Sequence, residues 1–409
     1  MHKAEKVVAK LYKIHYGRSI ATLLASYRDL DPASAEDLVQ DTFATALTEW
    51  KEKGIPINAQ GWLYTVSKNK ALNHLKKSKR AQSLDDLQTL QTEEIGFAES
   101  VVGDYNLKLL FACAHPDLSP KSQVVITLKY VVNLRVGAIS RILGMQLDGV
   151  DKLLFRARQK ILNEKIILEE PPASELLNRL PIVHKIIYLI FNEGYKSCWG
   201  KELLREEMCE EALILNHSLI NHGLSNKDTK ALHALMLFNA ARLPSRFDEN
   251  GDILDLEHQD RSLWNWDLIA LGSEYLRLSQ DESVSSYHLE AAIAQMHSTS
   301  KTYQATNWRT IAGLYGQLLL RFPNPFAELN YGIALYYAGQ KQLAFEILHK
   351  LQKHPFISQY YPLNAALGKF YDLDGDPKKA KNYLLKAQAQ TGFEKEKKYI
   401  QAQIDLFES

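Results

Sequence analysis

The stretch Ile55-Pro56-Ile57-Asn58-Ala59-Gln60-Gly61-Trp62-Leu63-Tyr64-Thr65-Val66-Ser67-Lys68-Asn69-Lys70-Ala71-Leu72-Asn73-His74-Leu75-Lys76-Lys77-Ser78-Lys79-Arg80 decides how this chain is read. No acidic residue lies between Glu52 and Asp85, and six Lys and Arg fall between Lys68 and Arg80. Trp62, Leu63, Val66, Leu72 and Leu75 recur at helical spacing, so the stretch reads as a helix with one face in a core. Lys68, Asn69, Lys70, Asn73, His74, Lys76 and Lys77 crowd its other faces. Lysine neutralises phosphates, while Asn and aromatic rings engage unstacked bases, so this face suits nucleic acid. A charge run by itself is an ordinary solvated face. Its flanks raise this one above that reading.

On the N-terminal side, residues 4–30 read as helix with Leu11, Ile14, Ile20, Leu23, Leu24 and Tyr27 as the apolar stripe. A second helix is expected from Ser34, as cap, to about Trp50. It should bury Leu38, Val39, Phe43, Ala46 and Leu47 and carry Glu36, Asp37, Gln40 and Asp41 on its polar face. An acidic-faced helix thus precedes the basic-faced one. On the C-terminal side, residues 81–103 are acidic and weakly periodic, through Asp85, Asp86, Glu93, Glu94 and Glu99, and read as a tether in preference to a nucleic-acid mimic. Residues 104–168 form a second helical unit. Ser119-Pro120 starts a helix. Residues 135–143, Gly144 and a helix from about Asp148 to Leu162 have helix-turn-helix proportions, with Lys152, Arg156, Arg158 and Lys160 on the second helix.

After Pro171-Pro172 the chain is nearly all helical pattern. Gly332, Leu335, Gly339, Ala344 and Leu348 recur as Gly368, Tyr371, Gly375, Ala380 and Leu384, 36 residues on. That is close to the tetratricopeptide period of about 34. Residues 192–195 (Asn-Glu-Gly-Tyr) and 246–264 stand outside the repeat. The expected architecture is all-α: 1–80, a linker at 81–103, 104–168, and a helical extension at 169–409 with repeats at about 325–390.

The 409 residues are too many for one small core. The formal charge of +1 hides an asymmetry. Residues 1–168 hold 24 Lys+Arg against 18 Asp+Glu, and the remainder 25 against 30. Nucleic acid is therefore expected at the front. No run of about 18 apolar residues is present, so no membrane span is expected. No apolar segment follows the N-terminus, so no signal peptide is expected. Cys113, Cys198 and Cys209 are too scattered for a disulfide framework, and a cytoplasmic setting fits. Cys113 and His115 have no second pair at metal-ligand spacing and read as packed side chains. Glu193, Asp260 and Arg261 read as an ion pair or caps. No nucleophile, base and phosphate loop come together, so no enzyme, metal or organic cofactor is expected.

Glu36-Asp37-Leu38-Val39-Gln40-Asp41-Thr42-Phe43, Gly61-Trp62-Leu63 and residues 67–75 together resemble region 2 of the sigma-70 family, in its extracytoplasmic-function branch. Residues 119–162, ending Leu154-Phe155-Arg156-Ala157-Arg158, resemble region 4 of that branch. Residues 107–116, 188–195 and 259–264 resemble the subgroup with a tetratricopeptide-like extension. The resemblance implies a factor that binds core RNA polymerase (β′ clamp helices and β flap) and directs it to promoter DNA. It implies polymerase contacts at Asp37, Gln40 and Asp41, with Phe43 in the core. It implies −10 contacts at Trp62, Lys68, Asn69, Asn73, Lys76 and Lys77, and −35 contacts at Asp151, Lys152, Arg156 and Arg158. Lys68 stands where the family usually has Arg, so a fork becomes a point charge. Gln146-Leu147 replaces a frequent Pro-Glu, and Asp151 and Leu153 occupy positions often basic. Asp151 accepts from a cytosine amine or caps the helix. The extension's concave face is expected to take a protein or peptide ligand, or the chain's own front half. The alternative function is a DNA-binding tetratricopeptide adaptor that does not bind polymerase.

Overall fold

A computed structural model describes residues 3–27, 29–82, 105–196, 206–280 and 283–407. The acidic tether, from residue 83 on, and Cys198 lie outside them. Among the described residues the chain is all-α, with one isolated antiparallel bridge between Phe247 and Ile253. It divides into two compact units: Met1–Ile190 with Asn221–Leu224, and Phe191–Ile220 with Ser225–Ser409.

The first unit opens with α1 (Lys3–Ser26), α2 (Pro32–Lys53) and α3 (Ala59–Gln82). α2 starts one turn earlier than Ser34 suggests. The Asp31 carboxylate accepts from the backbone N–H groups of Ala33 and Ser34, with Pro32 at the first helical position. Ser34 spends its hydroxyl on Asp31 instead of capping. A charged acceptor followed by a residue whose φ is already helical outcompetes a hydroxyl. α2 buries Ala35, Val39, Phe43, Ala46 and Trp50, while Leu47, expected in the core, is exposed. α3 buries a single column one turn apart: Leu63, Ser67, Ala71 and Leu75. Trp62, Val66 and Leu72 are half-buried beside it, and Trp62 packs edge-on against Trp50 with ring centroids 5.3 Å apart.

Next come α4 (Tyr105–Cys113) and α5 (Pro120–Ile126), the latter running into a π turn over Thr127–Val131. The Ser119 hydroxyl caps α5 by accepting from the Ser122 N–H, with Pro120 first in the helix, as the sequence suggests. α6 (Val136–Leu143) ends at Gly144, whose left-handed φ of 60° turns the chain sharply into α7 (Leu147–Asn163). Ile139, Val150, Leu154, Ala157 and Ile161 fill the space between α6 and α7 and their neighbours. The π turn docks on α1 backbone to backbone: a Cβ on Gly17 would lie 2.1 Å from the Val131 carbonyl oxygen. The start of α8 (Ala173–Lys196) also belongs to this unit. Its buried Arg179 donates to the Phe111 carbonyl at 3.0 Å and pairs with Glu175.

In the second unit α9 (Glu206–Asn221), α10 (Lys227–Ala240), α11 (Trp266–Leu278), α12 (Ser286–Thr299) and α13 (Trp308–Arg321) lead to the matched helix pairs. These are α14 (Pro325–Tyr337) with α15 (Lys341–Leu351), and α16 (Tyr361–Leu373) with α17 (Pro377–Gln390); α18 (Glu394–Asp405) closes the row. The repeat offsets have a steric cause. Gly332 lets Leu348 in and Gly368 lets Leu384 in; a Cβ on either glycine would lie under 3.0 Å from that leucine. Ala344 and Ala380 are fully buried between the paired helices. Tyr336 stacks on Phe370 at 3.7 Å, tying one pair to the next.

Candidate nucleic-acid interface

α3 faces inward through small and apolar side chains, so its polar residues are left on the outside. Asn69, Asn73, His74, Lys76 and Lys77 are exposed, Lys68 and Lys70 half-buried, and no carboxylate stands on the helix. Trp62 sits at the rim, with part of its ring still accessible. Asn69, Asn73, Lys76 and Lys77 recur at three- and four-residue steps, which keeps them on one side of the helix. Amide groups that can hydrogen-bond base edges thus lie one turn from ammonium groups that can neutralise phosphates.

α2 presents Asp37, Gln40 and Asp41 at its surface. Asp41 already holds Lys70 at 2.5 Å, and Lys70 also reaches Thr45. An exposed pair of this kind contributes at most about 1 kcal/mol, so a docking partner can exchange it readily. Glu36, expected on the same polar face, is instead buried. It accepts from the Tyr16 hydroxyl at 3.0 Å and from the Lys129 ammonium at 2.5 Å. Gln40 donates to the same Tyr16 oxygen at 3.1 Å. Glu36 therefore joins α1 and α2 to the π turn that precedes the helix-turn-helix.

On α7 the buried column Val150, Leu154, Ala157 and Ile161 turns Asp151, Lys152 and Arg156 outward. Arg158 stands apart from them. It is half-buried with its guanidinium 5.6 Å from the Tyr130 ring centre, and its Nε has no hydrogen-bond partner among the described residues. Asp151 is in the second turn, so it is not the cap; that position is Gln146, whose side chain makes no capping bond. Leu147 and Phe155 are exposed on the outer face, Phe155 by 61%. The sequence reading passed over Phe155, although it is the apolar residue left outside once Leu154 is placed inside. In a major groove an aromatic ring there can touch thymine methyl groups.

The remaining candidates are structural. Burial pushes the Cys113 thiol up to about 12, and it lies beside Thr127 in the core. The His115 carbonyl takes the Gln123 amide, and burial holds the His115 ring below its ordinary value. Asp260 caps the short turn Arg261–Leu263. Arg261 donates to the carbonyls of His297 and Ser300 and lies 4.4 Å from the Trp264 ring, whose indole N–H reaches Ser245.

Residues 14–81 match sigma-70 region 2 and residues 108–161 match sigma-70 region 4. Residues 179–280 match a family of unknown function, DUF6596. An uncharacterized protein of Rhizobium meliloti (strain 1021) is 28% identical over 396 residues, covering 95% of this chain and 93% of that protein. The ECF RNA polymerase sigma factor BldN of Streptomyces coelicolor is 29% identical over 140 residues, covering 32% of this chain and 50% of that protein. No solved structure matches. No helix among the described residues is long and apolar enough to cross a membrane. RNA polymerase core and promoter DNA are the partners that regions 2 and 4 imply. With sigma-70 regions 2 and 4 in order and a helical extension behind them, the chain has the domain set of a sigma-70 factor, and its front part is similar to an extracytoplasmic-function member.

Proposed function

We propose that this sigma factor docks on core polymerase through Asp37, Gln40 and Asp41, opens the −10 element with the outer face of α3, and holds the −35 element with α7. The observation that carries the reading is the sorting on α3. A column of Leu63, Ser67, Ala71 and Leu75 is buried, while Asn69, Asn73, Lys76 and Lys77 are exposed without an acidic residue among them. On α7, Lys152 and Arg156 supply phosphate or base-edge contacts, with Asp151 a candidate acceptor for a cytosine amine. The test is a pair of variants. Asp37→Arg with Asp41→Arg abolishes co-purification with core polymerase while helicity stays intact. Asn69→Ala leaves co-purification intact and removes the permanganate reactivity of −10 thymines. Undiminished polymerase binding by the first variant, or normal melting by the second, removes the corresponding role.

The extension acts as a brace. Its first helix begins inside the first unit, where Arg179 satisfies the Phe111 carbonyl and Leu176, Leu180 and Val183 are buried. A chain ending near Lys165 lacks those side chains and exposes the surfaces they cover. It is expected to aggregate and to give weak run-off transcription, whereas a chain ending after Ile190 keeps them. A soluble product of the Lys165 truncation more active than the full chain would favour autoinhibition instead.

A further inference from the structure

Residues 246–258 of the second unit form neither helix nor repeat, yet they are held at nearly every acidic position. The segment shapes itself first. Phe247 bridges Ile253, the Asp248 N–H donates to the Asp252 carbonyl, and the Asp248 carboxylate accepts from the N–H groups of Asn250 and Asp252. Gly251, with φ 72°, makes the tip of this hairpin. The side chains that receive it come from helices more than 110 residues further along. Lys369 of α16 holds Glu257 at 2.5 Å and lies 3.6 Å from Asp255. From α18, Tyr399 donates to Asp255 at 2.9 Å, Lys398 pairs with Asp252, and Lys395 donates to the Gly251 carbonyl at 2.6 Å. Lys395 also stands 5.3 Å from the centre of the Phe247 ring.

The charge is one-sided. Asp248, Glu249, Asp252, Asp255 and Glu257 lie in the segment with no Lys or Arg among residues 248–258, while the helices answer with three lysines. Asp255, Glu257 and His258 lie close enough together to suggest a metal site. The Lys369 ammonium already supplies the cation there. Burial pushes the Asp255 carboxyl up, but Lys369, His258 and Tyr399 together hold it below its ordinary value. Helical repeats present such side chains on surfaces that bind peptides, where main-chain and carboxylate groups give affinity and spacing gives specificity.

We propose that Lys369, Lys395, Lys398 and Tyr399 form a reading strip for acidic peptide segments, that the chain's own 246–258 hairpin fills it, and that an acidic segment of a partner protein binds there by displacing the hairpin. The strip reads carboxylates at the spacing of Asp252, Asp255 and Glu257, together with one main-chain carbonyl. A tethered occupant acts at an effective concentration on the order of millimolar, so a free peptide competes poorly until the hairpin is weakened.

The test uses the full chain and a fluorescein-labelled peptide of residues 246–260. In D252N/D255N/E257Q the hairpin loses the carboxylates that Lys369, Lys398 and Tyr399 hold, and its grip on the strip is weakened; anisotropy is expected to show binding at least about tenfold tighter than to the parent chain. Adding K369E and K398E to that variant returns binding to the parent level or below. A folded triple variant that binds no tighter than the parent, or whose binding ignores the charge-reversed lysines, overturns the proposal. Hydrogen exchange on the unaltered chain covers the case of a variant that does not fold. Unlabelled peptide at about ten times the millimolar effective concentration is expected to accelerate exchange at 248–258 and leave α10 unchanged, and unaltered exchange at 248–258 at that concentration counts against the strip.

Discussion

The α3 helix and the 246–258 hairpin are both dense in one sign of charge, and they dispose of it in opposite ways. α3 keeps Asn69, Asn73, Lys76 and Lys77 at the surface and buries Leu63, Ser67, Ala71 and Leu75, with Lys70 alone seen to turn to Asp41 among its described side chains. The hairpin turns its carboxylates onto Lys369, Lys398 and Tyr399 of its own chain. A run whose groups stay in water is available to another molecule, whereas a run answered in cis shapes the protein that carries it. Composition cannot separate the two cases, because the answering lysines lie more than 110 residues away.

The contrast breaks most severely at Glu36, the acidic residue of α2 that is buried as well as answered in cis. It is buried against Lys129 and Tyr16. Glu36→Ala leaves the Lys129 ammonium without its counter-charge, and is expected to cost about 3 kcal/mol in chemical denaturation of the first unit. Asp37→Ala, one residue on and exposed, is expected to change stability by under about 0.5 kcal/mol. Equal effects would mean that Glu36 is solvated.

Acid separates the extension from α3 more gently. Burial holds the imidazole of His297 down at about 3, helped by Arg242 and Arg261, and that of His233 at about 4, helped by His217. An unfolded histidine takes a proton as the pH falls through 6.5, while these folded ones resist until the pH nears their own values. Their contribution is therefore complete above 6.5 and drains as the pH falls toward 4. Calorimetry should show the extension's transition moving down between pH 7 and 5, with His297→Gln and His233→Gln flattening that slope. A pH-independent transition would contradict the burial of these rings.

Packing gives a smaller effect. Gly368→Ala pushes a methyl against Leu384 and the Ala380 carbonyl, so the side chain and the paired helix must both shift, and is expected to cost about 1–2 kcal/mol. Gly332→Ala against Leu348 should match it if the two pairs are equivalent. The smallest effect belongs to the exposed cations of α3. Lys76→Ala and Lys77→Ala should each lower the salt slope of promoter binding by about one unit, alike on every promoter, and leave the melting temperature unchanged.

Local periodicity carried much of this structure. The helical character of α3 with Leu63 and Leu75 inside, the turn at Gly144 and the matched offsets around Gly332 and Gly368 all follow from spacing, because helix contacts repeat every three or four residues, whereas Ser67 and Ala71 complete the buried column of α3 in place of the half-buried Trp62, Val66 and Leu72. What escaped was decided at a distance or by competition. Glu36 reads as surface until Lys129, 93 residues on, is brought to it. Leu47 fits an apolar stripe, yet it is exposed while Trp50, one turn on, is buried. Asp31 takes the cap from Ser34 because Pro32 follows it. Arg158 sits on the second helix of a helix-turn-helix, where a basic residue suggests DNA, yet it leans toward Tyr130. The hairpin at 246–258 was visible only as a stretch outside the repeat.

The central claim is that this chain confers promoter selection on core RNA polymerase. Run-off transcription with purified core polymerase on genomic fragments tests it most directly, with and without the full-length protein. Discrete start sites that require the protein, and that disappear with Asp37→Arg and Asp41→Arg, are the predicted result. A protein that binds the same fragments in gel shifts, yet gives core polymerase no new start site, would contradict it.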